Sequence, residues 1–435
     1  MHGPEARRVV SRVEVLALSL NDVIGSGVYL LPAAAAAVLA GSASLWGVGL
    51  AGLAVLLIVL CFAEAASRFD EPGGAYVYAR EAWGDLAGFE VGWMTFLTRV
   101  ATLASLSAGF AQALSWAWPG AGGGWVRAAL VAIPLLVLTA INVGGVKYGA
   151  RTSAFLLVAK LVPLAIFIGA GLFAVEWERV VAPARVDPAG LGEVALLLLF
   201  AYAGFENTAA PAGEYRDPKR DVPFALVTQI ALVTAIYALV QLVALGTLPD
   251  LAASKTPLAD AARLFLGGWG GALLTAGAAA SILGTAGNTV LSGPRYLYAL
   301  ARDGYGPAFL ARLHPRFLTP ASAIVLQTAV VLPLALTGSF AGLAALSVVA
   351  RLATYISTAA AIPVLRKRFP DTPGTVRLPF GPAIPIAAVV VSAFLVASAT
   401  ALDLVAGAAA LVAGLVVYAL RRKAPQGGTR PRPVG

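Results

Sequence analysis

Glycine and serine interrupt the first long apolar segment of the chain. The segment covers residues 13–39 and contains the stretch NDVIGSGVYLLP, from Asn21 to Pro32. Gly25 and Gly27 allow a helix to unwind at low steric cost. An unwound turn leaves free N–H groups on one side, which attract anions, and free C=O groups on the other, which attract cations. The alternative is a close helix–helix contact through small residues, which the same stretch would also permit in a membrane.

A second interruption lies in the apolar segment 190–213. It contains FAYAGFEN, from Phe200 to Asn207, with a helix breaker at Gly204 and a carboxylate at Glu206. The two interruptions take equivalent places if helices one to five and six to ten form two similar halves. Interrupted helices at matching positions of two halves are the best sequence indication of a transporter's central site. The pair therefore favours a binding site over a packing contact.

Three basic side chains lie inside apolar segments: Lys160, Arg99 and Arg351. A Lys in such a place is costly unless it is paired or loses its proton, so Lys160 could carry a proton or act as a permanent positive brace. Arg99 could bind an acidic group of a ligand, although most intramembrane charges pair within the protein. Its candidate internal partners are Glu206, Glu90 and Asp22. Arg351 is expected to form a packing or gate pair.

The composition indicates the elements that must position these residues. Of the 435 residues, 59% are hydrophobic and only 12% are charged, whereas soluble proteins carry about 25% charged residues. A helix that crosses a bilayer needs about 20 mostly apolar residues, so the pattern predicts about twelve spans in a multi-pass membrane protein. The predicted spans are 13–39, 44–67, 86–116, 125–145, 152–175, 190–213, 222–248, 267–291, 320–337, 340–364, 382–400 and 402–420.

The net charge of +9 is distributed unevenly along the chain. If the N-terminus is cytoplasmic, most cations fall in cytoplasmic loops and in the tail. The outer loops then hold only Arg127, Arg179, Arg185, Lys255 and Arg263. This asymmetry follows the positive-inside rule and predicts that both termini are cytoplasmic. The basic excess thus indicates anionic lipid as a partner rather than nucleic acid.

Several classes of function lack their residues in this sequence. The single cysteine, Cys61, excludes an internal disulfide and a multi-cysteine metal site. The two histidines, His2 and His314, lie outside the predicted spans, so no metal site and no cofactor are expected. The chain has no HExxH motif and no nucleophile–base set, which argues against an enzyme. It also lacks the GxxxxGK[ST] loop of a nucleotide-driven pump and any visible pore loop of a channel.

Four motifs carry a resemblance to a known family. They are NDVIGSGVYLLP, PGGAYVYAREAWG at 72–84, FAYAGFENTAAPAGEYRDPKRDVP at 200–223, and GPRYLYALARDGYGPAFLARLHPRF at 293–317. With these four motifs in this order, the sequence resembles a bacterial permease of the amino acid–polyamine–organocation (APC) superfamily. The resemblance implies the all-α LeuT-type fold, in which an inverted five-helix repeat is followed by two extra helices and helices one and six are broken.

This fold implies a division of the chain into one transmembrane domain and a tail. The domain would cover 1–420, with repeats at 13–175 and 190–364 and the extra helices eleven and twelve at 382–420. A basic cytoplasmic tail would occupy 421–435.

The resemblance also implies roles for particular residues. A substrate's carboxylate would lie on the amides of the helix-one break, and its amino group on carbonyls at the half-helix ends. The substrate-binding residues implied are Asp22, Val23, Ile24, Gly25, Ser26, Gly27, Phe200, Ala201, Ala203, Gly204, Asn288 and Arg99. Lys160 would stand where sodium-coupled relatives bind sodium, and Phe200 would form an aromatic lid. Glu206 would act in coupling or gating, or else as a structural carboxylate.

The function implied is secondary active transport of amino acids by alternating access in the bacterial cytoplasmic membrane. Proton-coupled uptake is the preferred mode, and exchange of amino acids or amines without proton coupling is the alternative. Basic substrates are not expected, because relatives that carry them have no Arg at the position of Arg99. The substrate's side chain and the oligomeric state are left open.

Overall fold

The computed structural model describes residues 10–69, 74–144, 150–181, 188–209, 215–317, 319–371 and 374–422. Within these residues the chain is helical, and its one β-feature is an isolated bridge between Val10 and Tyr215. The helices of the first half are α1 (Arg12–Val23), α2 (Gly27–Val38), α3 (Ala43–Ala66), α4 (Ala75–Trp83), α5 (Asp85–Leu114), α6 (Gly124–Val143), α7 (Ala150–Gly171) and α8 (Trp177–Val181). Those of the second half are α9 (Pro188–Tyr202), α10 (Pro218–Thr247), α11 (Pro257–Leu266), α12 (Gly268–Arg302), α13 (Ala321–Thr337), α14 (Phe340–Arg368), α15 (Ala383–Ala397) and α16 (Ala401–Arg422).

The long helices form because their sequences are apolar on every face, which is typical of membrane spans. In the part of the chain that the structure describes, seven helices are long and apolar enough to cross a bilayer, and the bent pair of α1 and α2 would make an eighth. Three shorter apolar helices accompany them, at Leu157–Gly171, Ala321–Thr337 and Ala383–Ala397. The all-α, multi-pass architecture is confirmed, while the count of twelve spans and the inverted repeat stay predictions.

The helix α5 lies at the centre of the bundle. It packs along α14 and α12, and most of its length is buried. By contrast, α6 and α16 face largely outward. Large apolar side chains are exposed on these outer helices, such as Ile133, Leu136, Leu402 and Val412. Since α5 carries Arg99, this charge is held in the interior of the molecule, at 4% exposure.

Three boundaries differ from the prediction. The predicted span 267–291 is part of a longer helix, because α12 continues to Arg302, within the first part of the fourth motif. Its last turns are amphipathic, so the apolar pattern ends there although the helix does not. The second motif, at 72–84, lies between the predicted spans 44–67 and 86–116, and it contains α4, whose sequence AYVYAREAW has no helix breaker. The predicted tail begins within α16, which ends at Arg422; residues 423–435 lie outside the described part.

Candidate functional site

The first interruption is a real break between two helices. Helix α1 ends at Val23, α2 begins at Gly27, and the two axes differ by 45°. The first N–H groups of α2 have no carbonyl one turn earlier within their own helix. The Ser26 hydroxyl beside them is buried and has no hydrogen-bond partner among the described residues. This break therefore presents unsatisfied donors, as an anion requires.

The second interruption meets the first. Helix α9 ends at Tyr202, and Gly204 has a φ of +125°, which favours glycine. A Cβ atom on Gly204 would lie 2.7 Å from the carbonyl oxygen of Asp22 and 3.2 Å from the amide of Val23. A short 3₁₀ segment, Phe205–Asn207, follows. The absence of a side chain at Gly204 thus lets the end of α1 and the end of α9 touch.

A narrow cavity lies between these breaks and the central helices. Its volume is about 30 Å³, so the space between the walls is small. Its walls come from α1, α2, α5, α9, α12 and α14. They are formed by Asp22, Val23, Gly25, Ser26, Gly27, Arg99, Thr102, Leu106, Phe200, Ala201, Ala203, Gly204, Asn207, Thr285, Asn288, Thr289 and Arg351.

The cavity brings together almost all of the residues predicted to bind substrate. Ile24 is the exception, because it does not line the cavity and its carbonyl accepts hydrogen bonds from Lys160 and Ser281. Of the predicted coupling or gating residues, Phe200 lines the wall, while Lys160 and Glu206 contact wall residues from behind. The structure thus places these residues together, and their roles stay predictions.

Several carbonyls at the helix ends already have partners. The Tyr237 hydroxyl donates to the carbonyl of Ala201 at 2.7 Å and lies 3.4 Å from that of Val23. The carbonyl of Gly25 accepts from Ser281 at 3.2 Å. The Asp22 side chain accepts a short hydrogen bond from the amide of Asn288. The carbonyl of Phe200 accepts from the amide of Ala203 at 3.1 Å. The wall carbonyls that could still hold an amino group are therefore those of Asp22 and of Ala203, which follows α9.

Lys160 is fully buried at the carbonyl end of α1. Its Nζ donates to the carbonyl oxygens of Asn21 at 2.7 Å and Ile24 at 3.0 Å, and it lies 3.4 Å from the hydroxyl of Thr285. Its own carbonyl accepts from Tyr29 at 2.9 Å. A positive charge at the negative end of a helix dipole is favourable. This one side chain therefore joins α7, α1 and α12 beside the cavity.

Glu206 is shared by two arginines. Its Oε1 lies 3.2 Å from Arg99 and 3.1 Å from Arg351, and both pairs are buried. Its Oε2 accepts from the Tyr355 hydroxyl and from the amide of Gly204, each at 3.1 Å. The internal pair expected for Arg99 is thus formed with Glu206. The cluster ties the second break to α5 and α14.

Phe200 closes one side of the cavity with a second aromatic ring. Its ring is edge-on to that of Phe340 on α14, with centroids 5.8 Å apart. Phe200 itself is 6% exposed. An edge-to-face pair holds the ring without a polar contact. The arrangement suits a lid between α9 and α14.

Sequence reasoning missed several wall residues on α12 and α5. Thr285 stands three residues before Asn288, and Thr289 stands four residues after Thr285, so helical spacing would have placed Thr285 beside each of the other two. On α5, Leu106 follows Arg99 by seven residues, which also puts it on the same face. Ser281, Tyr237 and Tyr355, in contrast, gave no local signal, because only the packing of separate helices brings them to the site.

Comparisons with known proteins agree with this architecture. A transporter of Mycobacterium tuberculosis is 32% identical over 351 residues, which is 78% of this chain and 76% of the relative. The serine/threonine exchanger SteT of Bacillus subtilis is 29% identical over 433 residues, 96% of this chain and 98% of its own. The methylthioribose transporter of Bacillus subtilis is 29% identical and covers 87% of this chain and 86% of its own.

The family description for amino acid permeases matches residues 10–417, nearly the whole chain. All of the relatives named above are transporters. The protein is therefore a transporter and not an enzyme, and it belongs to the amino acid permease family of the APC superfamily.

Proposed function

We propose that this protein moves amino acids across the cytoplasmic membrane of a bacterium by alternating access at the cavity between the two helix breaks. One observation carries the proposal: an unsatisfied N–H end at Gly27 and carbonyl ends at Asp22 and Ala203 border the same cavity. An amino acid is a zwitterion, and its two charges match a positive and a negative helix end.

The proposed binding mode follows from the free groups. The substrate's carboxylate lies on the amides of Ser26 and Gly27 and on the Ser26 hydroxyl, which has no partner among the described residues. Its amino group lies on the carbonyls of Asp22 and Ala203, beside the Asp22–Asn288 pair. Because main-chain groups hold the common part of every amino acid, the remaining walls read the side chain.

We propose that uptake is coupled to protons through Lys160. Its ammonium takes the place of a metal cation among carbonyl and hydroxyl oxygens at the α1 break. A proton exchanged there would loosen or tighten the contact between α7 and α1, and so bias the movement of α1. The second candidate is exchange without proton coupling, with Lys160 as a permanent brace. The name of the relative SteT, a serine/threonine exchanger, favours that candidate.

The proposed movement is that of a LeuT-type fold. Residues 13–175 and 190–364 would form two inverted repeats, and 382–420 two additional helices. Spans one, two, six and seven would rock against the remaining helices around the fixed cavity. The distribution of basic residues supports a cytoplasmic position for both termini, with anionic lipid around the inner loops.

Uptake of radiolabelled amino acids into proteoliposomes tests the proposal. The vesicles carry an inward pH gradient, no gradient, or unlabelled amino acid inside. Uptake driven by the gradient and lost in Lys160→Ala is the expected result. As a matched control, Lys255→Ala removes an exposed lysine that does not line the cavity, and it should leave uptake unchanged.

The other outcomes separate the candidates. Uptake that requires internal amino acid, with or without a gradient, establishes exchange and makes Lys160 structural. Absence of uptake for every amino acid under all three conditions contradicts the proposed function.

A further inference from the structure

The charges around the cavity do not balance. Among the residues that the structure describes, three cations contact it or its wall, Arg99, Arg351 and Lys160, but only two carboxylates do, Asp22 and Glu206. Lys160, Arg99, Arg351 and Glu206 are buried, and Asp22 is partly buried at the cavity wall. With every group in its ordinary charged form, this region carries one unit of positive charge in excess. Buried charge is costly unless an opposite charge accompanies it.

The excess lies on the side of the two arginines. A single carboxylate, Glu206, serves both Arg99 and Arg351, and its second oxygen is already bonded by Tyr355 and Gly204. The Nε atoms of both arginines are buried and have no hydrogen-bond partner among the described residues. Lys160, in contrast, is satisfied by two carbonyls. The guanidinium groups thus retain capacity for another acceptor.

The two arginines face the same part of the wall. Arg99 and Thr102 stand on one face of α5, and Arg351 on α14 donates to the Thr102 hydroxyl at 3.1 Å. The Thr102 hydroxyl also lies 2.6 Å from the hydroxyl of Ser347. Arg99, Thr102 and Arg351 line the cavity, whereas Ser347 does not. The helix-one break with Ser26 borders the same space. A short molecule could therefore reach both the break and the arginines.

We propose that the cavity selects amino acids with a carboxylate side chain, aspartate or glutamate, and that Arg351 together with Arg99 determines this selectivity. The inference rests on the proposed function and names its substrate class. The side-chain carboxylate accepts from the guanidinium groups, which pair well with planar anions. It also supplies the missing negative charge, so a neutral amino acid leaves the excess in place. The narrowness of the cavity favours these short side chains over aromatic ones.

Competition in the wild-type protein tests this inference without any substitution. Purified full-length protein in detergent or liposomes is incubated with radiolabelled L-aspartate and unlabelled L-glutamate, L-serine, L-leucine or succinate. L-Glutamate should displace the label at least about tenfold more effectively than L-serine or L-leucine, since hydrogen bonds to charged groups are the strong ones. Succinate has both carboxylates but no amino group and should compete weakly.

The variant Arg351→Gln provides the second test. The variant leaves Arg99 and Lys160 with the two carboxylates, so the charge around the cavity is balanced without an anionic side chain on the substrate. Binding of L-aspartate should fall about tenfold or more, while binding of L-serine stays equal or increases. A merely structural arginine would weaken both ligands alike.

Arg127→Gln is the matched control, because Arg127 is a part-buried arginine bonded to the carbonyls of Leu336 and Gly338, away from the cavity. It should leave the ratio of acidic to neutral binding unchanged. Preference of the wild type for neutral amino acids overturns the inference and leaves the proposed function standing. Failure of all amino acids to bind or cross overturns both.

Discussion

Backbone atoms, rather than side chains, set the distance between the two broken helices. A Cβ atom on Gly27 would lie 2.6 Å from the Cβ and 2.7 Å from the Cα of Ala201 on α9. Both separations are below ordinary van der Waals contact, and the second is to the backbone. The first turn of α2 can therefore approach α9 only because residue 27 has no side chain.

Gly27→Leu should consequently abolish uptake. Overpacking a tight contact costs about 1–3 kcal/mol, and here the helices would move apart at the place proposed to hold the substrate. We expect uptake of labelled amino acid in proteoliposomes to fall at least about tenfold, since about 1.4 kcal/mol corresponds to a factor of ten.

The control for this variant is Gly49→Leu. Gly49 is exposed on α3, and a Cβ there meets nothing within 4 Å. It should transport at the wild-type rate. Normal uptake by Gly27→Leu would remove the break in helix one from the proposed site.

At the scale of single residues, the sequence predicts the helix breaks better than it predicts the partners of charged side chains. The glycines mark both breaks because few other residues permit them, and Lys160 stands out because a charge in an apolar segment is rare. The choice of Glu206 over Asp22 as the partner of Arg99 could not be predicted, because it depends on how separate helices pack. Glu90 lies nine residues before Arg99 on α5, so helical spacing alone would have placed it on the opposite face.

At the scale of elements, a buried ionic cluster joins α3 to α14. Both oxygens of Glu64 accept from Arg366, at 2.7 Å each. The amide of Leu378 donates to the same carboxylate at 3.1 Å, and Arg68 lies 3.2 Å from it. The side chain of Glu64 is fully buried. The two helices and the segment after α14 are thus held by one carboxylate.

Glu64→Ala should destabilise the protein strongly. It leaves Arg68, whose side chain is 1% exposed, and Arg366 without their shared carboxylate. Removal of one partner from a buried ion pair costs about 3–5 kcal/mol, so the midpoint of thermal unfolding in detergent should fall by several degrees.

Arg220→Ala is the comparison, because Arg220 forms an exposed pair with Asp217 at 3.8 Å. Exposed pairs contribute about 0–1 kcal/mol to stability, so the midpoint of thermal unfolding of this variant should equal that of the wild type. Equal midpoints for both variants would mean that the Glu64 cluster does not hold the two helices together.

Apolar segments predict the long helices because a span must be apolar over most of its length. They do not predict helices that lie outside the apolar core. The short helices α4 and α11 and the last turns of α12 carry polar residues, and α4 packs against α5 and α11 against α12. Their helical state is decided by this packing, which the hydropathy pattern does not contain.

At the scale of the whole molecule, exposed apolar side chains and basic side chains occupy different parts of the surface. Exposed Val and Leu side chains cover the outer helices, while basic residues concentrate in the loops on one side of the predicted spans. Basic loops are retained on the cytoplasmic side during insertion. The same division therefore predicts which loops face the cytoplasm.

Cysteine labelling can determine this orientation. The single native cysteine, Cys61, is buried, so Cys61→Ala gives a background without reactive thiols. Lys255 and Arg316 are both exposed and lie on loops predicted to be on opposite sides. In spheroplasts, a membrane-impermeant maleimide should label Lys255→Cys directly. Arg316→Cys should react only after the membrane is opened, because its loop is cytoplasmic under the positive-inside rule. Labelling in the reverse order would mean that the molecule has the opposite orientation in the membrane. Both termini would then lie outside, and α1 would approach the cavity from the opposite side.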